Sequence, residues 1–231
     1  FENTDGAGNF SDKKVITSTA SSQSVFAGDL DGDGREDLLV GAPNEDPAGP
    51  DSGAAYVFST QTSGVIHSLP GANPGDRFGS MVLSVGDANL DTVDDFLVGS
   101  PDAAVGAVAA GSARLFSGAD ASNLGVWFGG NPDARFGSAA CSLGDRNADG
   151  RADFAIGAPG DTTGGPASGR IELRSGADGG LFLAVNGPMG SGFGASLAAL
   201  GDVDSDGTND LLVGAPTAGL GGEVLLISGL A

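Results

Sequence analysis

The chain has 231 residues, of which 42 are glycine, and only 6% of its residues are aromatic. Its 30 acidic and 10 basic residues give a formal net charge of −20, which argues against nucleic-acid binding through a basic surface. The glycine content disfavours helices and favours many short strands with tight turns, so we predict one all-β domain. No apolar run reaches transmembrane length, so we expect no membrane insertion.

The predicted strands follow one another without an interrupting linker. After a polar stretch at the N-terminus, the first strands are predicted at 13–19, 24–28, 37–42, 53–59 and 65–69. Further strands are predicted at 80–86, 112–117, 124–128, 138–144, 170–175, 181–185, 195–201 and 223–228. The pattern divides the single domain, residues 1–231, into repeat units at about 20–77, 78–135, 136–192 and 193–231.

A nine-residue acidic loop recurs four times and is followed each time by an apolar run ending in Gly-Ala-Pro or Gly-Ser-Pro. Acidic loops one to four are residues 29–37, 87–95, 145–153 and 202–210, so the period is about 58 residues. A period this regular over a whole chain indicates a repeat architecture.

The acidic loops carry oxygen side chains at positions 1, 3, 5 and 9, an alternation that can aim every second side chain at one point. Calcium takes about six to eight oxygen ligands, including carboxylates, amides and backbone carbonyls. We predict one Ca²⁺ per loop, four in total. The predicted side-chain ligands are Asp29, Asp31, Asp33, Asp37, Asp87, Asn89, Asp91, Asp95, Asp145, Asn147, Asp149, Asp153, Asp202, Asp204, Asp206 and Asp210. The carbonyls at position 7, in Arg35, Val93, Arg151 and Thr208, are predicted to complete the sites.

Two other interpretations of the acidic loops disagree with the sequence. An EF-hand needs a glutamate at position 12 and flanking helices, whereas position 12 is Val40, Val98, Ile156 and Val213. Ordinary Asp/Asn/Gly turns would explain one such loop, but not four in the same register. Thr92 stands in loop two where glycine is expected, so we predict the weakest binding there. Loops one and four, with four carboxylates each, should bind best.

Calcium is also expected to act as a folding ligand. More than half of the 30 acidic residues lie in the four acidic loops, which should repel themselves without a cation. Loops of this kind suit the millimolar free calcium found outside cells. The chain begins at Phe1, which we interpret as a processed or excised segment, and we predict an extracellular or cell-surface location.

The remaining chemistry-bearing residues favour structural roles. The single cysteine, Cys141, lies in an apolar strand and is expected to be buried. The single histidine, His67, has no partner motif. Trp127 and Phe128 could stack on a sugar ring, but packing between repeats is the simpler role. We recognise no catalytic constellation, and therefore expect no enzyme activity.

Phe-Gly, an acidic loop and Gly-Ala-Pro, in that order, resemble the FG-GAP repeat of integrin alpha subunits and of bacterial surface proteins. The pairs are Phe78-Gly79, Phe136-Gly137 and Phe193-Gly194. The first repeat departs from the pattern, since Ser21-Ser22 stands near that place, and there it is closer to the VCBS type. The resemblance implies a β-propeller of four-stranded antiparallel blades, with calcium in a hairpin loop of each blade.

The resemblance also implies that the N-terminal strand can complete the last blade. Residues 13–19 would then close a ring of about four blades and remove the sheet edges. A narrow ring needs small residues near its axis, as in residues 195–199. Two alternatives remain open: a fragment of a larger propeller, and a homodimer forming an eight-blade ring.

For function, the resemblance implies a calcium-binding adhesion or protein-interaction module with a protein or glycan ligand. Loops at 43–52, 102–111 and 160–168 would carry specificity, because loops on a rigid scaffold usually do. A carbohydrate-binding, lectin-like propeller is the first alternative. A hydrolase or lyase with an unrecognised site is the second.

Overall fold

The structure is a computed structural model that describes residues 22–106 and 108–228. These residues form seventeen strands, and no helix among them could cross a membrane. The first blade contains β1 (Ser24–Gly28), β2 (Asp37–Ala42), β3 (Ala54–Phe58) and β4 (Val65–Pro70). The second contains β5 (Met81–Gly86), β6 (Asp95–Ser100), a small hairpin of β7 (Ala104–Val105) and β8 (Val108–Ala109), β9 (Ser112–Phe116) and β10 (Asn123–Phe128).

The third and fourth blades repeat this order. The third contains β11 (Ala139–Gly144), β12 (Asp153–Ala158), β13 (Arg170–Arg174) and β14 (Leu181–Asn186). The fourth contains β15 (Ser196–Ala199), β16 (Leu211–Ala215) and β17 (Glu223–Ile227), three strands among the described residues. Neighbouring strands in every blade are antiparallel, and the first strands β1, β5, β11 and β15 pack side by side in chain order. The all-β class and the four-stranded antiparallel blades are therefore confirmed.

The hydrophobic core of the described residues consists of three clusters, one at each junction between consecutive blades. The first is built around Phe78, the second around Phe136 and the third around Phe193, each buried between strands of two blades. Each blade is therefore a thin sheet that buries its faces against its neighbours, as stacked repeats do.

The Phe-Gly and Gly-Ala-Pro motifs meet at these junctions. Gly79, at a φ of 90°, donates its N–H to the Gly99 carbonyl of its own blade at 3.0 Å. Its carbonyl oxygen lies against Gly41 of the preceding blade, where an added Cβ would overlap it. Both Gly79 and Gly41 must be glycine, because the backbones of the two blades approach too closely there for any side chain.

The predicted strand bounds agree with the structure to within one or two residues. The exception is the β7–β8 hairpin, which lies in a segment predicted to be a loop. The predicted closing strand at 13–19 lies outside the described residues and stays a prediction. Residues 196, 198 and 199, predicted to lie near a narrow axis, are exposed.

Candidate calcium loops

Each acidic loop joins the first strand of a blade to the second. Loop one, for example, leaves β1 at Gly28 and enters β2 at Asp37. Because the strands are antiparallel, all four acidic loops lie on one face of the molecule, which we call the acidic face. The connections that follow Gly-Ala-Pro, at 43–52, 102–111, 160–168 and 216–222, lie on the opposite face, which we call the variable face.

Carboxylate-to-backbone hydrogen bonds fix the course of loop one. Asp29 Oδ2 accepts from Gly34 N at 3.0 Å, Asp31 Oδ1 from Asp33 N at 3.1 Å, and Asp33 Oδ1 from Arg35 N at 2.9 Å. The same three bonds recur in loop two (Asp87–Thr92, Asn89–Asp91, Asp91–Val93), loop three (Asp145–Gly150, Asn147–Asp149, Asp149–Arg151) and loop four (Asp202–Gly207, Asp204–Asp206, Asp206–Thr208). The four loops thus share one backbone path.

The aspartate at position 9 is buried in every loop, which is uncommon for an acidic residue. Asp37 accepts from Leu30 N at 3.2 Å through Oδ2 and from Thr60 N, in the neighbouring β3–β4 turn, at 3.1 Å through Oδ1. Asp95, Asp153 and Asp210 are buried in the equivalent place and accept from Ala88, Arg146 and Val203 N respectively. Position 9 therefore closes the loop on itself, and in loop one it also ties the loop to the β3–β4 turn.

The pKa of Asp95 is raised to about 6, chiefly by burial and also by the nearby Asp91 carboxylate, although backbone hydrogen bonds from Gly118 and Ala88 oppose the rise. Burial also raises the pKa values of Asp37 and Asp153. The exposed Asp206 differs, since a side-chain hydrogen bond from Thr208 lowers its pKa. The buried carboxylates thus favour a nearby positive charge, which would stabilise their ionised forms.

The geometry of loop one gives independent support for a bound cation. Asp29 Oδ1 is buried and has no hydrogen-bond partner. One carboxylate oxygen from each of Asp29, Asp31 and Asp37 lies within 4.8 Å of the others. A buried anionic acceptor without a partner, among like charges, is destabilising unless a cation binds there. The oxygen donor set is the one that calcium prefers.

Loop four brings together the equivalent residues Asp202, Asp204 and Asp210, again within 4.8 Å. In loops two and three the asparagine at position 3 instead donates Nδ2 to the carboxylate at position 5, from Asn89 to Asp91 at 2.8 Å and from Asn147 to Asp149 at 2.7 Å. That loops one and four bind calcium best stays a prediction. The position 7 carbonyls stay predicted ligands.

Positions 4 and 6 of every acidic loop have positive φ. Loop one meets this requirement with two glycines, Gly32 and Gly34, at 73° and 84°. Loop two holds Leu90 at 67° and the β-branched Thr92 at 74°. Such conformations are unfavourable for residues with side chains, so loop two is the most strained of the four. The sequence identified Thr92 but not Leu90, because the requirement at position 4 appears only in the backbone angles.

Contacts between blades link the acidic loops into a continuous series. Asp94 N donates to Asp29 O at 3.0 Å, from loop two to loop one. Arg151 Nη1 donates to Ala88 O at 2.9 Å, and Arg146 Nη1 donates to Asn209 O at 3.2 Å. A cation in one loop would therefore also order the loop beside it.

The variable face carries a cluster that the sequence did not reveal. Asp102 lies 3.7 Å from Arg77 Nη1 and 4.0 Å from Arg135 Nε, and Arg77 Nη2 donates to Asn44 Oδ1 at 3.3 Å. Both arginines have positive φ, 54° and 56°, immediately before their Phe-Gly pairs. The basic residues looked scattered along the sequence, and only the stacking of blades brings these two together.

The single histidine, tryptophan and cysteine of the chain all pack within the fold. His67 Nε2 lies 2.6 Å from the Gly118 carbonyl of the next blade. Trp127 packs edge-on against Phe154 of the third blade at 5.3 Å, with Arg174 over its ring at 5.7 Å. Cys141 is buried and free, and burial raises its pKa to about 12.

Comparison with known proteins agrees with the repeat pattern. The model of the FG-GAP repeat matches residues 22–58 and 193–227. Integrin alpha-8 of Gallus gallus is 34% identical over 218 residues, covering 85% of this chain and 20% of that protein. Integrin alpha-IIb of Mus musculus is 34% identical over 212 residues, covering 83% of this chain and 20% of that protein. The chain thus spans about a fifth of the length of these relatives.

Two solved structures share the fold at low sequence identity. Rhamnogalacturonan lyase YesW superposes with a TM-score of 0.54 at 14% identity, covering 84% of this chain and 40% of that one. The exotype rhamnogalacturonan lyase YesX also gives 0.54, at 16% identity, covering 84% of this chain and 39% of that one. At such identity the likeness concerns the fold alone. The repeat match, the integrin alpha similarity and the Phe-Gly junctions between blades show that the chain is an FG-GAP-repeat β-propeller resembling that of integrin alpha subunits.

Proposed function

We propose that this chain is a calcium-stabilised, extracellular adhesion module that binds a protein ligand through its variable face. The observation that carries the proposal is the similarity to integrin alpha subunits over more than four fifths of the chain. Adhesion at the cell surface is the role that this resemblance implies. The relatives are much longer than this chain, so a larger assembly around the propeller is part of the proposal.

Calcium would be held by the sixteen carboxylate and amide side chains and the four carbonyls predicted from the sequence. It would supply charge neutralisation and a fixed β1–β2 type connection in each blade. The unpartnered Asp29 Oδ1 and the buried position 9 aspartates support this role. The role is structural, because the loops lie on the face opposite the variable loops.

The calcium proposal is tested by thermal unfolding with calcium and with a chelator, together with titration calorimetry. Asp204→Asn in loop four should weaken calcium binding and lower the melting temperature in calcium. Asp178→Asn, at an exposed aspartate outside the acidic loops, is the matched control and should change neither. Equal melting temperatures with and without chelator, and no heat of calcium binding, would refute the proposal.

The adhesion proposal is tested by binding calcium-loaded protein to a panel of purified extracellular-matrix and cell-surface proteins. Replacing residues 161–166 on the variable face by a Gly/Ser loop should abolish binding to any protein that is captured. Replacing residues 60–63, a turn on the acidic face, is the matched control and should leave binding intact. A ligand that is lost only with the second replacement would place recognition on the wrong face and contradict the proposal.

Carbohydrate binding is the second candidate, favoured by a cavity between the second and third blades. This cavity of about 230 Å³ is lined by Trp127, Arg151, Asn89 and Asp178, among others. An indole beside hydrogen-bonding side chains is the chemistry that stacks on a sugar ring. A glycan array separates the candidates, since calcium-dependent binding to a narrow glycan set that Trp127→Ala removes would favour the lectin function. A hydrolase or lyase activity remains the third hypothesis.

A further inference from the structure

Two arginines on the variable face hold the same strained backbone position. Arg77 and Arg135 stand immediately before Phe-Gly pairs, with φ of 54° and 56°. Gly192 stands before the third pair at a φ of 61°, so the turn needs a left-handed residue and glycine meets this need without strain. Strained backbone positions cluster at functional sites. The turn itself does not require arginine, so the side chains point to a role beyond the turn.

Hydrogen bonds hold both arginine turns in the same conformation. Arg77 O accepts from Ser80 N at 3.1 Å and from Ser80 Oγ at 2.7 Å. Arg135 O accepts from Ser138 N at 3.2 Å and from Ser138 Oγ at 2.6 Å. The phenylalanine after each arginine is buried at a blade junction. Both arginine side chains therefore project from a preorganised backbone, which lowers the entropic cost of binding a ligand.

The arginine cluster, which consists of Arg77, Asp102 and Arg135, has one positive charge in excess. The single carboxylate lies 3.7 Å from Arg77 Nη1 and 4.0 Å from Arg135 Nε, and both distances exceed hydrogen-bond length. Arg77 Nε is buried and has no hydrogen-bond partner in the described part of the chain. The Arg135 side chain is 56% exposed. The two guanidiniums therefore have donors left for a second acceptor.

Neighbouring acidic residues do not balance this charge. Asp76 is buried and accepts from Asn73 Nδ2 at 2.9 Å. Asp133 forms no ion pair with either arginine within residues 22–106 and 108–228. The four acidic loops lie on the opposite face of the molecule. The arginine cluster is therefore locally cationic, although the chain has a formal net charge of −20.

An apolar hairpin stands beside the arginine cluster. The strands β7 and β8 follow Asp102 closely, and Val108 is 40% exposed. Ala109 O accepts from Asp133 N at 2.7 Å, which fixes the hairpin next to the turn that carries Arg135. An aliphatic side chain of a ligand could pack on the hairpin while a neighbouring carboxylate reaches the arginines. A sulfated polysaccharide would make less use of this apolar surface.

We propose that the arginine cluster is a recognition site for a carboxylate, from an aspartate or glutamate of a protein ligand with aliphatic residues beside it. The inference rests on the proposed function, because it names the chemistry of the ligand that the variable face would bind. Asp102 already places a carboxylate between the two guanidiniums, so the site has the dimensions for that group. The incoming carboxylate would displace Asp102 and accept charge-assisted hydrogen bonds from Arg77 and Arg135.

The test uses calcium-loaded protein in about 0.02 M sodium chloride, where charges are weakly screened. The probes are two blocked peptides, acetyl-Val-Glu-Val amide and acetyl-Val-Gln-Val amide, and the sulfated polysaccharide heparin. Nuclear magnetic resonance follows the Nε–H signals of Arg77 and Arg135. We expect the glutamate peptide to shift both signals saturably and the glutamine peptide to shift neither. If heparin alone shifts them, or no probe does, the carboxylate site is overturned.

Variants separate a specific site from the effect of net charge. Arg135→Gln should weaken binding of the glutamate peptide by about threefold or more, whereas Gln61→Glu makes the same charge change on the acidic face and should not. Asp102→Asn removes the internal competitor and should strengthen binding by about twofold or more. Its control is Asp120→Asn at an exposed position outside the cluster, which should leave binding unchanged. Equal effects of the cluster variants and their controls would overturn the site.

Failure of the carboxylate site can be told apart from failure of the adhesion proposal. If a protein is captured through residues 161–166 while Arg135→Gln changes neither its capture nor peptide binding, adhesion stands and the carboxylate site is overturned. If the glutamate peptide binds through the two arginines but no protein of the panel is captured, the carboxylate site is supported and the adhesion proposal fails.

Discussion

The residue at position 6 of an acidic loop determines how much backbone strain the loop carries. We predict that Thr92→Gly stabilises the protein by about 1 kcal/mol, because a non-glycine residue at positive φ is unfavourable by roughly that amount or more. Calcium affinity of loop two should rise together with stability. Urea unfolding in calcium and titration calorimetry measure the two effects.

The reciprocal change in loop one is the control for this prediction. Gly34 has a φ of 84°, and an added Cβ would meet nothing within 4 Å. Gly34→Ala therefore introduces conformational strain without a steric clash, and should destabilise the protein. If Thr92→Gly is neutral while Gly34→Ala destabilises, the strain assigned to loop two is wrong.

Cys141 is a single residue that should make the stability of the protein depend on pH. Burial raises its pKa to about 12, above the value of about 8.5 for a free thiol. The stability contributed by the neutral thiol is therefore present below about pH 8.5 and is lost as the pH rises towards 12. Iodoacetamide at about pH 8 should leave the folded protein unlabelled and label it in urea. Cys141→Ala should lose less stability than the native chain between about pH 9 and pH 11; an equal loss would contradict this assignment.

At the scale of elements, strand positions could be predicted because the acidic loops and the Gly-Ala-Pro runs mark the ends of strands. The β7–β8 hairpin was missed because two-residue strands around Gly106 have no alternating pattern to detect. The Arg77–Asp102–Arg135 cluster was missed for a different reason. Its members belong to two blades and lie far apart in sequence, so only the packing of one sheet on the next brings them together.

Phe136 tests whether the junctions hold the blades together. It is buried between the second and third blades, so Phe136→Ala should destabilise the protein by about 3–5 kcal/mol. Phe128, on the outer strand of the second blade and 44% exposed, is the matched control, and Phe128→Ala should have a much smaller effect. Urea unfolding followed by circular dichroism gives both values. Similar losses for the two variants would show that the Phe-Gly pairs do not carry the junction energy.

At the scale of the whole molecule, the sequence predicted the repeat architecture and the positions of the acidic residues, but not how the loops depend on one another. The position 9 aspartates looked like any other ligand in the sequence. Only the structure shows that they are buried, and burial is what raises the pKa values of Asp37, Asp95 and Asp153. The unpartnered Asp29 Oδ1 is likewise a property of the folded loop.

The net charge of −20 leads to a prediction about salt. Raising sodium chloride from about 0.01 M to about 1 M shortens the screening length from about 30 Å to about 3 Å. The melting temperature of the chelated protein should rise more than that of the calcium-loaded protein, because its acidic loops lie side by side with their charges unneutralised.

A variant separates loop repulsion from a general effect of salt on the protein. In chelator, Asp202→Asn with Asp204→Asn removes two charges from loop four and should reduce the salt-induced rise in melting temperature. Asp120→Asn with Asp178→Asn removes the same charge from exposed positions outside the loops and should reduce the rise less. If both double variants respond equally, the repulsion is spread over the whole surface, and calcium stabilises the protein by ordering the loops rather than by neutralising them.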